Sequence, residues 1–124
     1  MVKLIQCVRR RPDVPLMEFR QVWEEYGERL RGLATALGAV RVSVSTTLEV
    51  EANRRLLTRR GSLEPFDGVA EVWWPRAYEA LEAAEEEEFS ARIDELWRFQ
   101  ASFLEIETSS FFFTIESVLF DRRG

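Results

Sequence analysis

The sequence predicts an α+β protein, with one antiparallel sheet and its helices gathered on a single face. Three observations carry this. Short runs of β-branched and aromatic residues alternate with longer stretches of helical periodicity. Their order is strand, helix, strand, strand, helix, strand. Glycine, proline and aspartate stand at the boundaries between them.

Val2 to Val8 is apolar and rich in β-branched residues, and Arg10 to Asp13 ends it, so a first strand is expected there. Pro15 suits the first turn of a helix, where Glu18 faces the positive end of the helix dipole. Phe19, Trp23, Tyr26, Leu30, Leu33 and Leu37 then recur on one helical face, and Gly38 is a fitting C-terminal cap. Val40, Val42 and Val44 alternate with Arg41, Ser43 and Ser45, which is the pattern of a second strand with one apolar side. The connection from Glu49 to Pro65 is long. Within it, residues 50–60 place glutamates first and arginines last, with Gly61 beyond, and predict a short helix.

Phe66 to Gly68 is turn chemistry leading into a third strand, Val69 to Trp74, and Pro75 closes it. A helix follows over Arg76 to Ala84, with Tyr78 and Leu81 turned inward. Four glutamates, Glu85 to Glu88, oppose the dipole of a helix end and favour a helix start, so the chain should jog there. The next helix carries Phe89, Ile93, Leu96, Trp97 and Gln100 on one side. Phe111 to Phe120 reads as the last strand, apolar in both phases. This βαββαβ order is the split βαβ, ferredoxin-like arrangement. It leaves one sheet face bare, with Val69, Glu71 and Trp73 on it. A bare apolar face predicts a homodimer packed sheet to sheet.

Composition narrows the function. The 124 residues suit a single domain, 1–124, with one core. The formal charge of −5 opposes phosphate backbones, so no nucleic-acid partner is expected. The first apolar stretch is too short for a secretory leader, and no stretch approaches a membrane span, so the expected location is cytoplasmic. The lone Cys7 fits a reducing compartment and reads as a small buried hydrophobe. Histidine is absent, which removes the commonest neutral-pH acid–base group and metal ligand. No metal, flavin, nicotinamide or haem signature is present, so no cofactor is expected.

The chain resembles the EthD family, named for ethyl tert-butyl ether degradation. The resemblance rests on Val2 to Leu4, on Val8 to Pro12, and on Glu18 to Arg20 with Trp23. It continues through PFDGVAEVWW from Pro65 to Trp74, its most specific piece, and through Phe103 to Glu105 and the Phe-rich strand ending at Glu116. It implies a ferredoxin-like protomer and a back-to-back dimer forming an α+β barrel. By fold, the relatives include cofactor-free monooxygenases, isomerases and polyketide-modifying enzymes. Two family histidines are missing. Gly27 stands four residues after Trp23 where one is usual, with Arg29 and Leu30 in place of a Pro-Leu pair, and Ser117 follows Glu116 where the other is usual.

The candidate site residues follow from these patterns. Glu71 is the first candidate catalytic residue, as acid or base, with Val69 and Trp73 on its side of the strand; the other reading pairs it structurally with Arg41. Tyr26 is the second candidate catalytic residue. Trp23, Tyr26, Trp73, Trp74 and Phe113 are candidates to line a pocket between helices and sheet for a flat apolar ligand, with the phenol of Tyr26 as its hydrogen-bond donor. The other reading makes each of them core. Gly27 would add room to such a pocket. Arg54, Arg55, Arg59 and Arg60 could meet an anionic group, or else be solvated or neutralise residues 85–88. The expected function is therefore binding of a small aromatic or polyketide-like molecule, with cofactor-free oxygenase, decarboxylase or isomerase chemistry open. The alternative is a catalytically silent binding or accessory protein of a degradation pathway.

Overall fold

A computed structural model describes residues 1–123, apart from the side chains of residues 77–80. The expected inward placement of Tyr78 lies outside the described residues. Among the described residues four strands are present: β1 (Val2–Val8), β2 (Arg41–Thr46), β3 (Gly68–Trp74) and β4 (Ser110–Ile115). Four α-helices join them: α1 (Leu16–Ala36), α2 (Glu51–Arg60), α3 (Ala77–Glu85) and α4 (Glu87–Ala101). The strands lie in the order β2-β3-β1-β4 and every neighbouring pair is antiparallel. That is the split βαβ arrangement.

Local chemistry sets the element ends. Pro15 caps α1, and Gly38, with φ of 89°, turns the chain out of it. Gly61 ends α2 in the left-handed conformation, which a side chain would strain. The glutamate run breaks as its charges require. Glu86 is extended, and Glu87 and Glu88 then occupy the first turn of α4.

β4 is shorter than its composition suggests. It pairs with β1 from Cys7↔Ser110 to Val2↔Ile115, and the Glu116 amide takes the last bond, to the Met1 carbonyl. Ser117 to Phe120 lie outside the ladder.

The core lies between the sheet and α1 with α4. Phe19, Trp23, Tyr26, Leu30, Leu33 and Ala34 of α1 meet Val8, Ala70, Val72 and Trp74 of the sheet. Leu96, Phe103 and Leu104 close it from the other side. Gly68 is required here. A Cβ on it would come within 2.8 Å of the Trp23 indole nitrogen, so only glycine lets that ring lie flat across β3. The indole then donates a 3.1 Å hydrogen bond to the Ser45 carbonyl. α2 buries no residue and stands outside this core.

Candidate functional site

Strand alternation gives the sheet two unlike faces. On the helix side lie Leu4, Gln6 and Val8 of β1, Ala70, Val72 and Trp74 of β3, and Phe111 and Phe113 of β4. On the bare side lie Lys3, Ile5 and Cys7, with Val69, Glu71 and Trp73, and with Phe112 and Thr114. The expected uncovered set of Val69, Glu71 and Trp73 is found there.

The bare face is organised around Trp73. Register places Lys3 on one side of it and Arg41 on the other. Both cations lie over its ring, at 5.1 Å and 4.4 Å from the centroid. Its indole donates a 2.8 Å hydrogen bond to Glu116. That bond, helped by Lys3 at 3.5 Å, holds the Glu116 carboxyl below the usual carboxylate range despite some desolvation. Glu71 pairs with Lys3 at 3.9 Å, not with Arg41, which is engaged by the tryptophan ring. Burial, and the nearby Glu71 charge, push the Cys7 thiol up, so it is a poor nucleophile. This face does not reach the helix-side cavity. Glu71 and Trp73 therefore stand apart from Tyr26, Trp74 and Phe113.

Those three meet on the helix side. A cavity of about 740 Å³ opens between α1, α4 and the sheet, lined by Tyr26, Trp74 and Phe113 together with Leu4, Leu30, Leu33, Ile93 and Leu96. Trp74 and Phe113 sit with ring centroids 6.2 Å apart. The Trp74 indole is held by the Leu37 carbonyl at 3.2 Å. Leu81 and Trp97 reach its edge from α3 and α4 and are half-exposed. Trp23 is absent from the lining. It is stacked between Phe19 and Tyr26, at 5.7 Å and 5.0 Å, and belongs wholly to the core.

The cavity has a polar floor that pattern reading passed over. Tyr26 of α1 donates to Gln6 Oε1 of β1 at 2.5 Å, and Gln100 of α4 donates to the Tyr26 oxygen at 2.6 Å. Gln100 also donates to Gln6 Oε1, at 3.1 Å, closing a triangle that ties three elements together. Burial pushes the Tyr26 phenol well above its ordinary value, against the opposing pull of the two glutamine hydrogen bonds. It is a neutral hydrogen-bonding group. The signals for the other two were visible, because Gln6 shares the inward phase of Leu4 and Val8, and Gln100 shares the apolar face of α4. A polar residue at a core position is the informative exception. Asp94 and Ser90 of α4 also line the cavity, and Asp94 is the one carboxylate among the described lining residues.

Two other expectations need correcting. Gly27 adds no room to the cavity. A Cβ there would meet Val44 Cγ2 at 3.1 Å, so the glycine allows α1 to lie close on β2 instead. The α2 arginines make no ion pair with residues 85–88 among the described residues. Arg54 lines a polar groove of about 630 Å³ with Arg10, Glu64 and Asp67. Among the described residues no three histidine, cysteine or carboxylate side chains converge on a metal-sized space, and no helix is long and apolar enough to cross a membrane.

The model of the EthD domain matches residues 11–95, well over half of the chain. The chain belongs to the EthD family. Solved structures of distant sequence share its fold. An EthD family protein from Bacillus halodurans aligns at TM-score 0.59 with 15% identity, over 94% of this chain and 99% of that one. A dimeric protein of unknown function and ferredoxin-like fold from Bacteroides fragilis aligns at TM-score 0.60 with 16% identity, over 91% and 93%. SnoaB, a cofactor-independent oxygenase from Streptomyces nogalater, aligns at TM-score 0.54 with 15% identity, over 95% of each chain. Comparison with curated proteins gives no match. For this EthD chain, then, the distant solved structures show the fold alone.

Proposed function

We propose that this EthD protein is a cytoplasmic homodimer that binds a flat, largely apolar molecule in the helix-side cavity of each protomer. The observation that carries the reading is the cavity itself. Trp74 and Phe113 give aromatic walls, leucines and an isoleucine give the rest, and the polar groups are few and converge at the floor. Ligand sites for small molecules have this composition and this size. A solid core would have left no such space.

Dimerisation through the bare face supports the same reading. Phe112 of β4 is exposed in one protomer, as are Val118, Leu119 and Phe120 beyond the strand. Covering them would remove an apolar patch larger than monomers usually keep. A two-fold axis brings the face onto itself. The face carries Lys3 and Arg41 against Glu71 and Glu116, so opposite charges are available on both sides of such an interface. The Bacteroides relative is described as dimeric.

Binding without acid–base machinery fits the cavity better than catalysis. Tyr26 is locked neutral and already committed to Gln6, and Glu71 lies on the other face. A specific observation keeps an enzymatic reading open. Asp94 lines the cavity and could take a proton from an acidic ligand, which cofactor-free oxygenation or isomerisation requires.

Titrating the protein with phenanthrene and following tryptophan fluorescence tests the binding proposal. Saturable quenching, weakened at least tenfold in Trp74→Ala, is the expected result. No saturable binding in wild type would remove the cavity as a ligand site. If Asp94 is a base, Asp94→Asn should abolish turnover of a bound substrate and leave its affinity nearly unchanged.

A further inference from the structure

The floor of the cavity holds more hydrogen-bonding capacity than the protein itself uses. A glutamine amide offers an acceptor oxygen and a two-proton donor nitrogen. In the triangle, Gln6 uses its Oε1 twice, and Gln100 uses its Nε2 twice. Gln6 Nε2 and Gln100 Oε1 make no hydrogen bond among the described residues. Neither is sealed in the core, because Arg10 Nε is the one buried side-chain polar atom without a partner among the described residues. Both residues are about as covered as core positions, at 5% and 4% exposure, and both line the cavity. The cavity is therefore the open space these two atoms face.

From this we infer that Gln6 and Gln100 form a paired donor and acceptor that selects flat aromatic ligands carrying a carbonyl beside an N–H on one edge, as in a fused aromatic lactam. The inference rests on the proposal that the cavity binds small molecules. The lactam carbonyl accepts from one amide nitrogen, and its N–H donates to the other amide oxygen. The pairing does not depend on how the amides are oriented. Turning both together preserves the triangle with Tyr26 and merely exchanges the free donor with the free acceptor. Turning one alone sets two donors or two acceptors against each other. A flat lactam fits either case by turning over.

Tyr26 fixes this arrangement without touching the ligand through its proton. Its hydroxyl is engaged on both sides, so the two amides cannot swing toward the cavity and satisfy each other elsewhere. A ligand with no polar edge covers the two free atoms and leaves them unsatisfied. Sites built to hydrogen-bond a ligand reject analogues that lack the group far more strongly than apolar pockets do.

The experiment is a binding series on the full chain with phenanthridin-6(5H)-one, its N-methyl derivative and phenanthrene, read by fluorescence titration. The expected result is that the lactam binds at least tenfold tighter than either of the others. In Gln100→Leu that preference should fall to within about threefold, since one free polar atom and its orienting bonds are gone. If the wild type binds phenanthrene and the N-methyl compound as tightly as the lactam, the inference is overturned while the cavity remains a ligand site. If none of the three binds, the cavity proposal and the inference both fall. Near-UV circular dichroism checks that Gln100→Leu is folded, and if it is not, the wild-type series decides alone.

Discussion

Trp73 and Trp74 are chain neighbours, both deeply covered, at 6% and 4% exposure, yet they belong to different chemistry. Trp74 points under the helices. Its ring is met by Phe113, its indole nitrogen by a backbone carbonyl, and the remaining side is the cavity wall. Trp73 points to the bare face and lies under the charged ends of two cations, with its indole on a carboxylate. One is buried by packing and the other by a charged cage. The difference shows that low exposure alone does not make a residue core. What covers it decides whether it holds the fold, a ligand or a second subunit.

The largest expected effect comes from cutting back each ring in turn. Trp74→Ala should lower stability by about 3–5 kcal/mol, the usual cost of emptying a large aromatic site. Trp73→Ala should cost only about 1–2 kcal/mol, the worth of two partly exposed cation–aromatic contacts. Urea unfolding of the two variants side by side measures this. Equal losses would dissolve the distinction between the faces.

The next test breaks the bare face as an interface. Phe112→Glu places a charge on the proposed contact while touching nothing on the helix side. It should weaken self-association by about 2–4 kcal/mol. Light scattering should read twice the chain mass of 14.5 kDa for wild type and the single mass for the variant. A wild type that stays monomeric at micromolar concentration would end the dimer proposal.

A third test uses pH and reads the helix side alone. Burial raises the Tyr26 pKa in the folded state above the unfolded value of roughly 10. The folded form therefore keeps its proton where the unfolded form has lost it. The stability this represents is fully present below about pH 10 and declines as pH rises further toward the folded pKa. Wild type should lose stability more steeply than Tyr26→Phe above about pH 10, in urea midpoints taken from pH 8 to 11. Parallel curves would mean that the phenol is not sealed from water.

The smallest effect is expected at Glu71. Its partner Lys3 also has Glu116, and the 3.9 Å pair is partly exposed. In the Phe112→Glu background, where the face stays in water, Glu71→Gln should change stability by less than about 1 kcal/mol. A drop of several kcal/mol would show a buried structural pair instead.

Much of the fold was legible from local chemistry. The apolar phase of β1 and β3, the helical stripe from Phe19 to Leu37, Gly61 after the α2 arginines and the break within Glu85 to Glu88 are dictated by periodicity, backbone freedom and the helix dipole. Each acts over a few residues, so the chain itself displays it. Strand alternation even contained the separation of Trp73 from Trp74, since adjacent strand residues cannot share a face. The length of β4 was not legible in this way, because its apolar composition continues past Ile115 while its pairing with β1 does not.

The site divides along the same line. Sequence periodicity determined that Tyr26 and Trp74 face inward and that Glu71 shares a face with Trp73. Only the tertiary structure decided that Lys3 takes Glu71 while Trp73 takes Arg41. It also brought Gln6, Tyr26 and Gln100 together from three elements, and it left space beside them. Pairing between side chains far apart in the chain depends on register and helix placement. Those are set by the sum of many weak contacts, which no short stretch of sequence carries.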